Sequence, residues 1–143
     1  MTAITDIIAF WREAGAAKWF ARDEAFDAEF RHRFESAHFA AARGEYEPWM
    51  ASGEGALALQ ILLDQFPRNC FRGTAHSYAT DGLARHYAQR AVDAGLDRDV
   101  EAPLRVFCYL AFEHSEALVH QHQAVRLIAA LGDAELLRYA ELH

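Results

Sequence analysis

An all-α fold is predicted by three features of the chain. Apolar residues recur at helical spacing almost throughout, no segment alternates strictly at period two among β-branched residues, and capping residues and glycines divide the chain at helix-sized intervals. About seven to eight helices joined by short connections are expected, an arrangement that packs each helix antiparallel to its neighbours.

Ile4, Ile7, Ile8 and Trp11 share one face of a first helix that ends before Gly15. Asp23, whose short carboxylate can accept an orphan N–H, is placed to cap a long helix carrying Phe26, Phe30, Phe34 and Ala37 and stopping at Gly44. Pro48 starts one short turn around Trp49. Gly53 and Gly55 are expected to break the chain before a helix over residues 56 to about 65, which is apolar on most sides and therefore central. Pro67 has no N–H and disfavours helical backbone before it, so that helix is expected to end at Phe66. A helix from about residue 77 to 94 closes at Gly95, and Pro103 sits in the first turn of the next, which carries Leu104, Phe107, Leu110 and Ala111. After a break at His114, Ser115 can cap a helix over residues 116–131, and Asp133, following Gly132, caps a last one. Trp11, Trp19, Phe20, Trp49 and the Phe26, Phe30, Phe34 stripe are expected in the core; a groove for an amphipathic helix is the alternative.

At 143 residues the chain is expected to form a single helical domain, residues 1–143. Its 52% hydrophobic content supplies a core, and its net charge of −7 argues against a nucleic-acid backbone as partner, because phosphate binding needs a basic face. The longest apolar stretch, residues 56–63, is interrupted by Gln60 and is far shorter than the ~20 residues that span a bilayer, so no membrane partner is expected. The N-terminus, with Asp6, has no basic region ahead of its apolar residues, which points to a cytoplasmic protein. Cys70 and Cys108 lack CxxC spacing and read as reduced small apolar side chains, with Cys70 as a nucleophile the alternative.

The densest chemistry lies where the apolar run Ile61-Leu62-Leu63 meets Asp64, Gln65, Arg68, Asn69 and Arg72. Carbonyls left unpaired at a helix end attract cations, and two arrangements are open. Arg68 or Arg72 can fork onto Asp64, Asp81, Glu113 or Glu116 while Asn69 bonds its own turn, or one guanidinium stays partly free to clamp a carboxylate or phosphate. Glu113-His114-Ser115-Glu116 offers an imidazole between two carboxylates, either a cap with a helix-to-helix hydrogen bond or a general acid or base. No nucleophile stands at a spacing that pairs it with His114. Metal ligation is not expected: Glu29-x-x-His32 and Glu35-x-x-His38 lie on one helix rather than two facing ones, and Glu116 with His120 supplies only two ligands.

The chain also resembles a bacterial family labelled domain of unknown function 924. Lys18-Trp19-Phe20-Ala21-Arg22-Asp23 and the residues through Phe34 resemble its first block, and Gly55-Ala56-Leu57-Ala58-Leu59 with Gln65-Phe66-Pro67-Arg68-Asn69 and Phe71-Arg72-Gly73-Thr74 its second and most specific. Ala79-Thr80-Asp81 and Phe112-Glu113-His114-Ser115-Glu116 with Gln121 follow. The resemblance implies an all-α, tetratricopeptide-like array of antiparallel helices and carries no assigned activity. Three departures stand out: Ala111 where the family writes Pro before Phe112, Ala117 and His120 where it has acids, and relatives that continue some tens of residues past a position like His143 with a basic, aromatic segment.

The expected function is a helical binding module whose polar groove is walled by Gln65, Arg68, Asn69, Arg72, Asp81, His114 and Glu116 and holds an anionic small molecule or a peptide. The alternatives are a small enzyme using His114 as acid or base, and a purely structural role or one as a homo-oligomer. No cofactor is expected.

Overall fold

The computed structural model describes residues 2–142, and helices are the only regular elements among them. The α-helices are α1 (Ile4–Ala14), α2 (Ala16–Trp19), α3 (Glu24–Ala42), α4 (Gly53–Gln60), α5 (Phe66–Cys70), α6 (Asp81–Asp93), α7 (Leu110–Glu113), α8 (Leu118–Ala129) and α9 (Ala134–Glu141). A π-helical turn, Ile61–Gln65, joins α4 and α5 into one continuous rod. Four 3₁₀ segments, Glu47–Ala51, Ala75–Tyr78, Leu96–Asp99 and Ala102–Cys108, fill the connections.

Several starts and stops lie where the side chains dictate. Asp23 accepts the Phe26 N–H at 2.9 Å, and Asp133 accepts those of Glu135 and Leu136. Elsewhere the chain departs from the expected pattern. The residues expected to begin an α-helix at 77 and at 103 form 3₁₀ turns, so α6 starts only at Asp81 and α7 only at Leu110. Ser115 does not cap α8 from residue 116; its Oγ accepts the Ala117 N–H, and the helix begins at Leu118.

Gly53 and Gly55 do not break the chain. Ser52 accepts the Gly55 N–H and α4 starts at Gly53. These glycines are there because backbone approaches them: a Cβ on Gly55 would lie 1.9 Å from the Trp49 carbonyl oxygen, and one on Gly53 2.5 Å from that of Leu96. From Gly55 onward α4 is the centre of the molecule. It touches α1, α6 and three of the 3₁₀ turns, and residues 55–67 are buried without interruption.

Pro67 does not end this rod either. In the π-turn the Phe66 N–H reaches back five residues to the Ile61 carbonyl, and the helix runs on to Cys70. A wide turn followed by a residue with no N–H leaves carbonyls short of backbone donors. Side chains supply them: His38 Nδ1 donates to the Leu62 carbonyl at 2.7 Å, and Thr80 Oγ1 donates to that of Leu63 at 2.6 Å. The rod is thereby tied to α3 on one side and to the start of α6 on the other.

Phe10 and Trp11 on α1 meet Phe30 on α3 at 5.4 and 5.5 Å between ring centroids, and Trp11 meets Phe107 at 5.2 Å. Trp11, Phe30 and Phe34 are core as expected, whereas Phe26, Trp19 and Trp49 are half-buried. Phe20 is 58% exposed and lies over Phe107 with ring planes 13° apart, so it is not a core residue.

The His38 bond to a carbonyl oxygen means that Nδ1 carries the proton, so Nε2 accepts from His76 Nε2 at 2.8 Å. Burial lowers the His38 pKa below its ordinary value of 6.5, against the opposing pull of the Leu62 bond and of Glu35. An unfolded chain therefore takes up a proton that folded His38 refuses, and stability should fall as pH drops through about 6.5 and below. His38→Asn, which keeps a donor for Leu62 but does not titrate, should flatten that slope in urea titrations between about pH 5 and pH 7; an unchanged slope would contradict this. Gly55→Ala should cost about 1–3 kcal/mol or more by overpacking against Trp49, while Gly82→Ala, where nothing lies within 4 Å, should cost nothing measurable.

Candidate functional site

Asp64, in the π-turn, is 1% exposed and is the charged centre of the region. Three donors converge on its carboxylate: Arg68 Nη1 at 2.9 Å, Gln65 Nε2 at 2.9 Å, and His114 Nδ1, from the C-terminal end of α7, at 2.8 Å. Burial alone would raise the Asp64 pKa, but His114, Arg68 and Gln65 more than offset it and hold the carboxyl below its ordinary range. The two blocks that the sequence separates by fifty positions thus share one ion.

Arg68 is spent on this network. Nη1 reaches the Asp64 carbonyl at 3.0 Å and Asp81 Oδ1 at 2.8 Å as well as the Asp64 carboxylate, and Nη2 reaches Asp81 Oδ2 at 3.0 Å. Asp81 heads α6, where its charge also favours the helix N-terminus. Burial disfavours the Arg68 cation, yet the bond to Asp81 and the nearby Asp64 raise its pKa overall.

Asn69 does not bond its own turn. Its Nδ2 donates to Asp27 on α3 at 3.1 Å, and Arg72 Nε approaches the other Asp27 oxygen at 3.4 Å. That single long bond leaves both terminal nitrogens of Arg72 without a partner among the described residues. Cys70 Sγ contacts the Asp27 carbonyl, and burial pushes both the Cys70 and Cys108 thiols up to about 12, which removes Cys70 as a ready thiolate.

A cavity of about 820 Å³ opens over this floor. Gln65, Arg68, Asn69, Arg72 and His114 lie on its wall. Asp81 sits behind Arg68 and is not on the wall, and Glu116, exposed at the start of the turn before α8, is not part of it. His120 turns to Ser115 Oγ at 2.8 Å rather than to Glu116. Trp19 and Phe20, from α2 and its C-cap and expected in the core with a groove as the alternative, line the apolar side of the cavity, and sequence reasoning missed Val106, Leu110, Ile128 and Leu136 beside them. It also missed Arg22, an exposed lining residue without an ion pair among the described residues, and Glu135 across on α9. Trp19, Phe20 and Arg22 lie within four positions of one another, inside the first block of the family resemblance, and that was the signal for them. Among the described residues no group of three or more His, Cys, Asp or Glu side chains is placed to hold a metal ion, and no helix is long and apolar enough to cross a membrane.

The fold and the cavity define a small all-α protein with a half-apolar, half-charged recess built on one buried carboxylate. Residues 7–143 match the model of the family described as bacterial protein of unknown function (DUF924), and the chain belongs to that family. It is similar to the solved structure of a protein of unknown function from Agrobacterium tumefaciens, with 52% sequence identity and a TM-score of 0.95 over 98% of this chain and 79% of the other. No curated protein matches the chain.

Removing Arg68 strands Asp64 and Asp81 with less than their full set of donors. Arg68→Ala should therefore cost about 3–5 kcal/mol in chemical denaturation. Arg43→Ala, which breaks an exposed pair with Glu45, should cost about 0–1 kcal/mol. Equal small losses in the two variants would contradict the buried network.

Proposed function

We propose that this protein binds a small anionic molecule, carboxylate or phosphate, or the carboxylate end of a peptide, in the cavity beside α5. The observation that carries this reading is Arg72. Of the two arginines on the turn, Arg68 has both terminal nitrogens committed to carboxylates, whereas Arg72 keeps a guanidinium fork on the wall of a recess whose other side is apolar. A planar fork suits a carboxylate or phosphate, and partial removal from water strengthens the pair. Trp19, Phe20, Leu110 and Leu136 then offer surface for an apolar body attached to the anionic group. Concave, mostly apolar recesses with a few polar groups are where small ligands bind. The paired state of Arg68 favours a purely structural role for that one residue, which holds the floor rather than the ligand.

A thermal-shift screen of small carboxylates and phosphates tests this. A ligand at about 100 times its Kd should stabilise the native state by about 2.7 kcal/mol and raise the melting temperature by several degrees. Arg72→Ala should abolish the shift while changing the free protein's stability by no more than about 1 kcal/mol, because its long, partly exposed bond to Asp27 contributes little. A screen in which no anion raises the melting temperature, or in which Arg72→Ala responds as the parent does, would refute the reading.

A further inference from the structure

His114 sets one ring nitrogen against a buried carboxylate and leaves the other without a partner among the described residues. Nδ1 faces a carboxylate that is buried and held ionised, and an ionised carboxylate can only accept, so Nδ1 carries the proton. Nε2 therefore presents a lone pair when the ring is neutral. It makes no hydrogen bond to any described residue, and the ring lies on the cavity wall with 19% of the side chain exposed. His38, by contrast, has both nitrogens bonded inside the protein. A carboxylate that fixes the tautomer and leaves Nε2 open toward a recess is the arrangement by which an imidazole moves protons.

The rest of the wall narrows the chemistry. Among the described residues lining the cavity there is no Ser, Thr, Cys, Lys or Tyr, so no hydroxyl, thiol or amine is present to form an alkoxy ester, a thioester or an imine with a substrate. Beside the charged side chains of Arg22, Glu113, Asp133 and Glu135, the wall pairs the imidazole lone pair of His114 with the open guanidinium fork of Arg72, and a base with a nearby cation is the machinery needed to take a proton from carbon beside a carbonyl group while the cation offsets the negative charge that forms.

Resting on the binding reading above, we propose that His114 is a general base that removes a proton from the carbon next to the carbonyl of a small 2-oxo acid anchored through its carboxylate by Arg72. The C–H bond breaks, an N–H bond forms at Nε2, and the electron pair moves onto the carbonyl oxygen as an enolate. The same proton, or one exchanged with solvent, then returns from Nε2 to carbon, so the step balances without a further reactant. Asp64 is a positioning residue, acting only through the imidazole.

Proton exchange reads this step whatever the complete reaction is. The full chain is incubated with 2-oxobutanoate in D₂O, loss of the C3–H signal is followed by NMR, and binding of the same acid is measured in parallel by calorimetry. The expected result is exchange about 10²-fold or more above buffer, at the lower end of general acid–base catalysis. His114→Gln should return the rate to the buffer level while still binding the acid, with its fold checked by circular dichroism. Asp64→Asn, where it folds, should lower the rate with little change in binding. Binding without exchange above buffer overturns the proton-transfer proposal and leaves the binding reading standing, as does exchange undiminished in His114→Gln. Absence of binding overturns the 2-oxo acid proposal, while the binding reading falls only if no anion in the thermal-shift screen raises the melting temperature.

Discussion

A single buried carboxylate sets the terms for this molecule. Asp64 is enclosed by protein yet ionised, and a charge in that position persists only if donors from several directions replace its water. They come from the next residue, from one turn further along the same rod, and from the end of α7. The need to satisfy this ion fixes how the end of α7 sits against the rod and uses up Arg68. Asp81 then follows Arg68, and the start of α6 follows Asp81.

The π-turn is what allows one segment to hold both core and ion. Over residues 61–67 the rod is buried on all sides, and its backbone carries a proline and one extra residue per turn. Carbonyls that lose backbone donors in such a place cost stability unless paired. His38 and Thr80 pair them, so the defect becomes the joint between the rod, α3 and α6. π-turns occur often where function requires a helix to be re-aimed. Here the turn carries Asp64 and Gln65 to the floor of the cavity, and α5 carries Asn69, with Arg72 just beyond its end.

Much of this was legible in the sequence and some was not, for identifiable reasons. Asp23 and Asp133 could be recognised as caps because a cap depends only on local chain geometry, and the closing glycines at 15, 44, 95 and 132 all have positive φ. The meeting of the Asp64 turn with His114 was readable because charges near a buried helix end need partners. The glycines at 53 and 55 were misread as breakers, since their role is to admit the Trp49 and Leu96 carbonyls, a tertiary fact with no local signature. Pro67 was misread for the same reason: whether a proline ends a helix depends on who else can serve the carbonyls it abandons. Phe20 belongs to the cavity rather than the core, and Glu116 to the solvent, because periodicity identifies an apolar or polar residue without saying which surface it meets.

The floor of the cavity depends on the orientation of one imidazole, that of His114. Proton-detected nitrogen NMR of the histidine rings, with His114 assigned by comparison with His114→Gln, reads it directly. The bond to Asp64 predicts that the neutral ring carries its proton on Nδ1 and leaves its lone pair on Nε2. A neutral His114 protonated at Nε2, or a ring whose nitrogens exchange protons freely between the two sites, would contradict the buried Asp64 network and the floor built on it.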